Sequence, residues 1–284
     1  MRIILSILLL SVCYSTTINV PADSTTIQAG INGAEEGDTV LVAAGTYYEN
    51  LFWFGKSGFK LIGSGEDDCI INGSNSFGAV FSFFYNDSTT QISHFSIEGG
   101  SQGISDYFSG SSLLLTDLNI NNNQGLGISL SGGDVILRNV TIDNNQGGGI
   151  RIEGVDAILD DVTVSNNSGE IYSGGGIYIE GGTITISNSQ IFANQARYGG
   201  GMIIYGGILE ITNTNFKNNT ADDFGGAIYM SRSTVELNNV IISNNQGGEG
   251  GGVCCHGPPS PGFSDANLIM TDVIISDNMG SRGG

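Results

Sequence analysis

One asparagine recurs through the second half of the chain at a nearly regular spacing, and this recurrence is the feature that most limits the possible folds. It stands at positions 123, 145, 167, 194, 219, 245 and 278, at intervals of 22 (145−123), 22, 27, 25, 26 and 33 residues. A second Asx position precedes each of these asparagines by six residues, beginning with Asp117 and ending with Asp272. A period of about 20 to 50 residues indicates a repeat architecture, in which each unit buries its core against the next unit.

Each repeat contains three short segments in which apolar and polar residues alternate. Side chains alternate along a strand, so Ile177 and Ile179 should point inward while Tyr178 points outward. Repeats stacked at about 4.8 Å would pair each strand with its counterpart in the next coil. The pattern therefore predicts an all-β parallel solenoid with three strands per coil. Its third strands are expected at 128–130, 150–152, 177–179, 202–204, 228–230 and 253–255.

The recurring Asn and Asp residues are expected in the tight turns between these strands. Both residue types tolerate left-handed backbone dihedral angles and hydrogen-bond their own backbone. Since they stand at the same register in successive coils, they are also expected to form hydrogen bonds along the stack.

Composition narrows the class of protein further. Of 284 residues, 45 are glycine and only 4 are proline, and the formal net charge is −19. Glycine does not recur at every third residue, which excludes collagen, and the regular spacing of Ile, Val and Leu argues against disorder. With only 9 Lys and Arg residues, no nucleic-acid partner is expected, because phosphates need cations to neutralise them.

The first 15 residues have the features of a secretory signal peptide. Arg2 supplies the positive start, and residues 3–12 form an apolar run too short to span a bilayer. Cleavage is expected near Ser15, which leaves residues 16–284 as one domain. A faint similarity to a lipoprotein box leaves lipidation at Cys13 open. No later segment is apolar enough to span a membrane as a helix.

Residues 24–34 predict a short amphipathic helix near the start of the mature chain. A Ser/Thr start is followed by Ile27, Ile31 and Ala34 at helical spacing. The apolar face of this helix is expected to cap one end of the stack, where uncovered strands would invite edge-to-edge association.

Two groups of residues resemble known families. Thr26-Ile27-Gln28 and the segments 37–42 (Gly-Asp-Thr-Val-Leu-Val) and 45–49 (Gly-Thr-Tyr-Tyr-Glu) resemble the N-terminal signature of many secreted members of the pectate-lyase-like superfamily. Segments 216–219 (Phe-Lys-Asn-Asn) and 225–228 (Gly-Gly-Ala-Ile) resemble the paired motifs of polymorphic outer membrane protein (adhesin/autotransporter) repeats. The first resemblance covers roughly residues 17–284 and implies a right-handed parallel β-helix. The second covers about residues 170–252 and implies a secreted or cell-surface location, outer-membrane association included.

The chain stops in the middle of a repeat, at residues 278–284. We therefore expect the domain to be truncated at its C-terminus.

The candidate functional surface is the outward face of the third strands. Enzymes of the resembled superfamily bind sugar chains on this face, so outward Tyr residues are candidates to stack on sugar rings and Arg151 to meet a uronate carboxylate. The alternative is that these are ordinary exposed residues, because Tyr is favoured on β surfaces anyway. The candidate glycan-contact residues are Arg151, Glu153, Tyr178, Glu180, Tyr205 and Tyr229.

The sequence assigns no catalytic residue, metal ligand or cofactor. Lyases of the resembled superfamily use Ca²⁺-binding Asp clusters, and a Ca²⁺ site would need several convergent oxygens. The pairs Asp160-Asp161 and Asp222-Asp223 do not establish such a site, because Asp161 is expected in a turn and Asp222-Asp223 in the loop 220–224 between a recurring asparagine and the third strand. Segment 65–69 superficially resembles the paired aspartates of polygalacturonases but is expected to be a turn. His94 and His256 are far apart along the stack, and the cysteines that follow the signal peptide, an odd number, form no regular pattern.

We therefore expect a secreted or cell-surface protein that acts as an adhesin-like or carbohydrate-contacting passenger without catalysis. Its expected partner is a polysaccharide or a host or cell-surface glycan. The alternative is a polysaccharide lyase that uses Arg151 and nearby carboxylates in the groove beside the third strands.

Overall fold

The computed structural model describes residues 15–55, 58–74, 78–84, 90–106, 113–169, 174–255 and 266–283. In this part of the chain the protein is nearly all-β and forms a parallel β-solenoid of about nine turns. The signal peptide expected at residues 1–15 lies outside the described residues except for Ser15. The segment 256–265, which contains His256, also lies outside them.

The N-terminal part differs from the rest in carrying a helix. Its elements are β1 (Thr17–Val20), α1 (Ile27–Gly33), β2 (Thr39–Val42), β3 (Gly45–Tyr47), β4 (Leu51–Phe54), β5 (Lys60–Ile62), β6 (Cys69–Asn72), β7 (Ala79–Phe84), β8 (Thr90–Glu98) and β9 (Gln102–Asp106).

The central and later parts consist of strands alone among the described residues. They are β10 (Leu113–Asn121), β11 (Ile128–Leu130), β12 (Val135–Asp143), β13 (Ile150–Glu153), β14 (Ala157–Ser165), β15 (Ile177–Glu180), β16 (Thr183–Ser187), β17 (Gln190–Phe192), β18 (Gln195–Tyr198), β19 (Met202–Tyr205), β20 (Ile208–Thr212), β21 (Asn215–Lys217), β22 (Thr220–Phe224), β23 (Ile228–Ser231), β24 (Thr234–Asn238), β25 (Ile241–Ser243), β26 (Gln246–Glu249), β27 (Val253–Cys255), β28 (Asn267–Thr271), β29 (Ile274–Ser276) and β30 (Met279–Arg282).

These strands form three parallel sheets that run along the solenoid. Sheet B stacks the predicted third strands in the order β4, β7, β9, β11, β13, β15, β19, β23 and β27. Sheet C contains β18, β22, β26 and β30, and sheet A contains the remaining strands. The predicted parallel solenoid and its third strands are confirmed.

The later coils contain a fourth strand that the sequence did not predict. Residues 220–224, expected as a loop, form β22 of sheet C, which pairs with β18 and β26 on either side. A loop was expected because the connection between the ladder asparagine and the third strand varies in length. That prediction was wrong, since pairing with the neighbouring coils holds the segment extended.

Inward side chains of the sheets fill one continuous apolar core. Ile150 and Ile152 of β13 stack on Ile177 and Ile179 of β15, and all four are fully buried. Burial of one such side chain is worth about 2 kcal/mol. The predicted inward orientation of Ile177 and Ile179 is thus confirmed.

The recurring asparagines form a buried ladder along the stack. In each step, the backbone N–H and the side-chain Nδ2 of one asparagine both donate to Oδ1 of the next. For Asn145, these bonds to Asn167 measure 2.9 and 3.0 Å, and the side chain also donates to the carbonyl of Ile120 at 3.1 Å. The ladder joins Asn123, Asn145, Asn167, Asn194, Asn219, Asn245 and Asn278.

The left-handed turn residues are the other Asx positions and the residues just before the ladder. Asn139 has φ of 50° and Asp161 of 56°, while Asn144, which precedes ladder residue Asn145, has φ of 54°. The ladder asparagines themselves are not among the described residues with positive φ. The expected left-handed turns are therefore found at the Asx positions six residues before the ladder asparagines. The ladder asparagines themselves instead hydrogen-bond one coil to the next.

Helix α1 caps the first coils, and the Gly45–Glu49 signature holds it in place. Thr26 Oγ1 accepts a hydrogen bond from Ala29 N, and the Glu49 carboxylate accepts from the backbone N–H groups of Ile27 and Gln28 at 2.9 and 3.0 Å. Ile27 and Ile31 are buried in the core. Glu49 therefore has a structural role here, as an anion at a helix N-terminus.

Candidate functional site

The outer face of sheet B carries the candidate residues in the register that the sequence predicts. Arg151 pairs with Tyr178, Tyr178 with Ile203, and Ile203 with Tyr229 along one row. Glu153, Glu180 and Tyr205 follow each other along the second row. The sheet thus brings all six candidate residues to one surface.

Arg151 and three neighbours form a polar network on this surface. The guanidinium makes an ion pair with Glu153, and its Cζ lies 4.6 Å from the centroid of the Tyr178 ring. The Tyr178 hydroxyl donates a hydrogen bond of 2.7 Å to Glu180 Oε2. Arg151 and Glu153 each keep about a third of their side-chain surface exposed.

This network raises the pKa of both Arg151 and Tyr178. Partial burial alone would lower the pKa of Arg151, but the hydrogen bond and charge of Glu153 outweigh it and the net shift is upward. Burial, followed by the hydrogen bond to Glu180, raises the pKa of Tyr178 well above its ordinary value. Both groups are therefore protonated at neutral pH.

Two of the outward tyrosines are covered rather than exposed. Tyr178 is 6% and Tyr229 8% exposed, and with the fully buried Ile203 they form a second apolar cluster outside the solenoid core. Tyr198 and Phe224, at the ends of β18 and β22, pack against Tyr229 with ring centroids 5.9 and 6.1 Å away. The surface that can meet a partner directly is consequently Arg151, Glu153, Glu180 and the half-buried Tyr205.

The sequence reasoning did not identify Tyr198 and Phe224. Each stands immediately before a Gly-Gly pair, at 199–200 and 225–226, in the connection between the ladder asparagine and the sheet B strand. An aromatic residue repeated at that position was the available signal. Their rings stack at a centroid distance of 5.6 Å and an interplanar angle of 6°, one coil apart.

The carboxylate pairs have other partners. Asp160 accepts hydrogen bonds of 2.7 and 2.8 Å from Ser187 and Asn188, which lower the pKa of this carboxyl. Asp223 makes an ion pair of 2.7 Å with Arg197. Segment 65–69 forms the predicted turn, closed by a hydrogen bond from Cys69 N to the Gly65 carbonyl.

Neither a cluster of metal ligands nor a membrane-spanning helix is found in the described part of the chain. Within the described residues, no group of three or more His, Cys, Asp or Glu side chains could hold a metal ion. His94 lies 3.8 Å from Asp117 at the exposed Asx turn. The described part of the chain contains no helix of the length and apolarity that crossing a membrane requires.

Two family models match this chain. Residues 40–175 match the right handed beta helix region, and residues 213–231 match the Chlamydia polymorphic membrane protein repeat. The chain therefore has the predicted right-handed parallel β-helix fold, and the repeat match lies within the residues whose resemblance to polymorphic outer membrane protein repeats was predicted. No curated protein sequence matches it.

Solved structures of carbohydrate-active proteins share this fold. An alginate lyase from Paenibacillus sp. str. FPU-7 is 15% identical, with 91% of this chain and 99% of that chain covered and a TM-score of 0.54. The pectin methylesterase from Aspergillus niger is 13% identical over 95% and 88% of the two chains, with a TM-score of 0.56. Pectate lyase Pel9A is 13% identical over 95% and 79%, with a TM-score of 0.53. At these identities the likeness establishes the fold alone.

Proposed function

We propose that this protein is a secreted or cell-surface protein that contacts a polysaccharide or cell-surface glycan through the outer face of sheet B, without catalysis. The polymorphic membrane protein repeat supports the surface location, and the fold shared with an alginate lyase and a pectate lyase supports a carbohydrate partner. Of the six candidates, Arg151, Glu153, Glu180 and Tyr205 are the contact residues. Tyr178 and Tyr229 support Arg151 and Tyr205 through ring contacts.

The observation that carries this proposal is that Arg151 is ion-paired with Glu153 and has a raised pKa. A general base works best when its pKa lies near the operating pH. Glu153 moves the pKa of Arg151 upward, away from that range, and the guanidinium is already engaged by Glu153 and the Tyr178 ring. Such an arginine holds its position and presents the remaining N–H donors to a ligand, as a binding residue does.

Polysaccharide lyase activity remains the second candidate, because one specific observation favours it. Arg151 is not isolated from carboxylates: Glu153 and Glu180 lie on the same surface, with Tyr178 between them. A lyase of uronate polymers would release unsaturated uronides, which absorb in the ultraviolet.

Two assays on one preparation of the full chain separate the candidates. In the first, the protein is applied to a glycan array with neutral, uronate and amino-sugar oligosaccharides. In the second, it is incubated with polygalacturonate and with alginate while ultraviolet absorbance is recorded. We expect binding to an arrayed glycan and no new absorbance.

Matched variants locate the effect on sheet B. We expect Arg151→Ala and Tyr205→Ala to weaken glycan binding about fivefold each, the size of one cation–π or stacking contact. Arg138→Ala removes an exposed arginine from sheet A and serves as the control. A rise in absorbance that disappears in Arg151→Ala would instead establish the lyase.

A further inference from the structure

A concave surface lies on sheet C, beside the predicted contact face. It consists of two adjoining depressions of about 540 and 410 Å³, which share Asp222, Gly248 and Ser281. We call it the sheet C groove, lined by Tyr198, Thr220, Asp222, Phe224, Gly248 and Ser281.

Glycine keeps the floor of this groove free of side chains. A Cβ on Gly248 would lie 2.5 Å from the carbonyl oxygen of Asp223, and one on Gly280 would lie 2.6 Å from that of Gly283. Neighbouring backbones approach too closely at both positions for another residue type. Glycine inside a strand often marks a place where another group approaches the backbone closely, and here it leaves peptide groups to form the floor.

One wall of the groove is aromatic. The stacked rings of Tyr198 and Phe224 are half-buried, because they pack against Tyr229 on one side and line the depression on the other. The Arg197 guanidinium lies 5.2 Å from the centroid of the Tyr198 ring and covers part of it. The packing on Tyr229 fixes both rings before any ligand arrives. A fixed aromatic surface beside a polar floor is typical of small-molecule and sugar sites.

The charges in the groove are unbalanced. Arg197 pairs with Asp223 at 2.7 Å, and Arg282 pairs with Glu249 at 2.9 Å. Asp222 is exposed, and no ion pair to it exists among the described residues. The groove therefore presents one uncompensated carboxylate, within a chain whose net charge is −19.

We propose that the sheet C groove binds a polysaccharide of hexosamine units with free amino groups. A sugar ring offers an apolar C–H face to Phe224 and to the part of the Tyr198 ring that Arg197 leaves uncovered, and its ammonium group pairs with Asp222. Two adjoining depressions fit consecutive units of a polymer. This site is distinct from the sheet B face, and it stands whether or not Arg151 contacts a glycan.

Calorimetric titration of the full chain with chitosan oligosaccharides tests the proposal. We expect saturable binding that weakens about tenfold in Asp222→Asn, because a charge-assisted hydrogen bond is lost. Fully N-acetylated oligosaccharides and oligogalacturonate are expected to bind at least tenfold more weakly than the free amine. Asp134→Asn, which changes an exposed aspartate just before β12, is the matched control and should leave the affinity unchanged.

Further variants decide among the remaining outcomes. Tyr198→Leu should also weaken chitosan binding, and a cooperative melting transition of this variant would show that it is folded. Arg151→Ala should leave chitosan binding unchanged, which separates this site from the sheet B face. Equal binding of chitosan by wild type and Asp222→Asn would overturn the proposal. So would equally tight, Asp222-dependent binding of pentalysine, since it would assign the groove to cations in general.

Discussion

Coils between residues 113 and 169 and coils between 183 and 255 differ in one connection. From the sheet B strand to the next ladder asparagine, both kinds take 17 residues, for example 128 to 145 and 202 to 219. From the ladder asparagine to the sheet B strand, the first kind takes five residues, as in 123 to 128. The second kind takes eight or nine, as in 194 to 202 and 219 to 228. The added residues form sheet C.

This one difference changes the surface of the protein. In the two shorter coils the connections are 124–127 (Gln-Gly-Leu-Gly) and 146–149 (Gln-Gly-Gly-Gly). The outward residues beside them are Ser129 and the half-buried Arg151. In the longer coils it supplies Tyr198 and Phe224, which cover Tyr229, and the wall of the sheet C groove. The solenoid core is the same in both, so the extra strand adds a surface without disturbing the scaffold. The match to the polymorphic membrane protein repeat, residues 213–231, falls in the longer coils.

The largest expected effect concerns what the two regions share. Asn145→Ala in a shorter coil and Asn219→Ala in a longer coil each remove a buried side chain that joins two ladder bonds and a backbone carbonyl. We expect each to lower the free energy of unfolding by about 3 kcal/mol, because several buried donors and acceptors lose their partners. Chemical denaturation of each variant measures this change in the free energy of unfolding.

Thr141→Ala, on the outward side of β12, is the control for the ladder variants and should change stability little. If Asn219→Ala were harmless while Asn145→Ala was costly, sheet C would be holding the longer coils in place of the ladder, and the two regions would differ more than their cores suggest.

A second prediction tests the difference on the outward face itself. Tyr229→Ala in a longer coil removes a ring that Tyr198, Tyr205 and Phe224 enclose, and should cost about 2 to 3 kcal/mol. Ser129→Ala, in the same outward row of a shorter coil, should stay within about 0.5 kcal/mol. Equal effects in urea unfolding would mean that the aromatic cluster adds no stability.

Much of this fold could be predicted from sequence because its determinants repeat locally. Three features recur at similar positions in successive coils: the ladder asparagines, the Asx turns and the alternation seen at Ile177–Ile179. A prediction made for one coil is therefore supported by the same pattern in the others. The same regularity placed Arg151, Tyr178 and Tyr229 in one outward row, as the strand pairing shows.

Burial of the outward row could not be predicted in the same way. It depends on Tyr198 and Phe224, which lie in the connection whose length varies, where alternation gives no guide. Whether a residue such as Tyr229 faces solvent is decided by a segment that precedes it in its own coil and by the segment of the neighbouring coil. Strand β22 could not be predicted for the same reason, because it lies in this connection of variable length and becomes a strand only through its parallel neighbours.

A third prediction uses the titration of the covered ring. Burial, followed by the charges of Tyr205 and Cys254, raises the pKa of Tyr229 to about 12 from an ordinary value of 10.0. The folded state thus holds this proton more tightly than the unfolded state. The resulting stabilisation is complete below pH 10 and is lost as the pH rises toward 12. We expect the free energy of unfolding to fall by about 2 kcal/mol across this range.

Tyr229→Phe is the variant that isolates this effect, since it keeps the ring and removes the ionisable group. Its free energy of unfolding should depend less on pH between 10 and 12 than that of the wild type. If the free energy of unfolding fell equally in both proteins between pH 10 and 12, the loss of stability would come from groups other than Tyr229.

The smallest expected effect concerns the ion pair that the extra strand brings. Arg197 on β18 pairs with Asp223 on β22, and both side chains are substantially exposed. Solvent screening limits such a pair to about 0.5 kcal/mol, so Arg197→Ala should lower the melting temperature only slightly, and less at high salt. Arg138→Ala, on β12 of a shorter coil, is the matched control. The guanidinium carbon of Arg197 also lies 5.2 Å from the centroid of the Tyr198 ring. A drop in melting temperature several times larger than expected for Arg197→Ala, persisting at high salt, would mean that sheet C depends on this packing. In that case the longer coils would owe their fourth strand to this side chain, and the difference between the two regions would rest on a single residue in addition to the length of the connection.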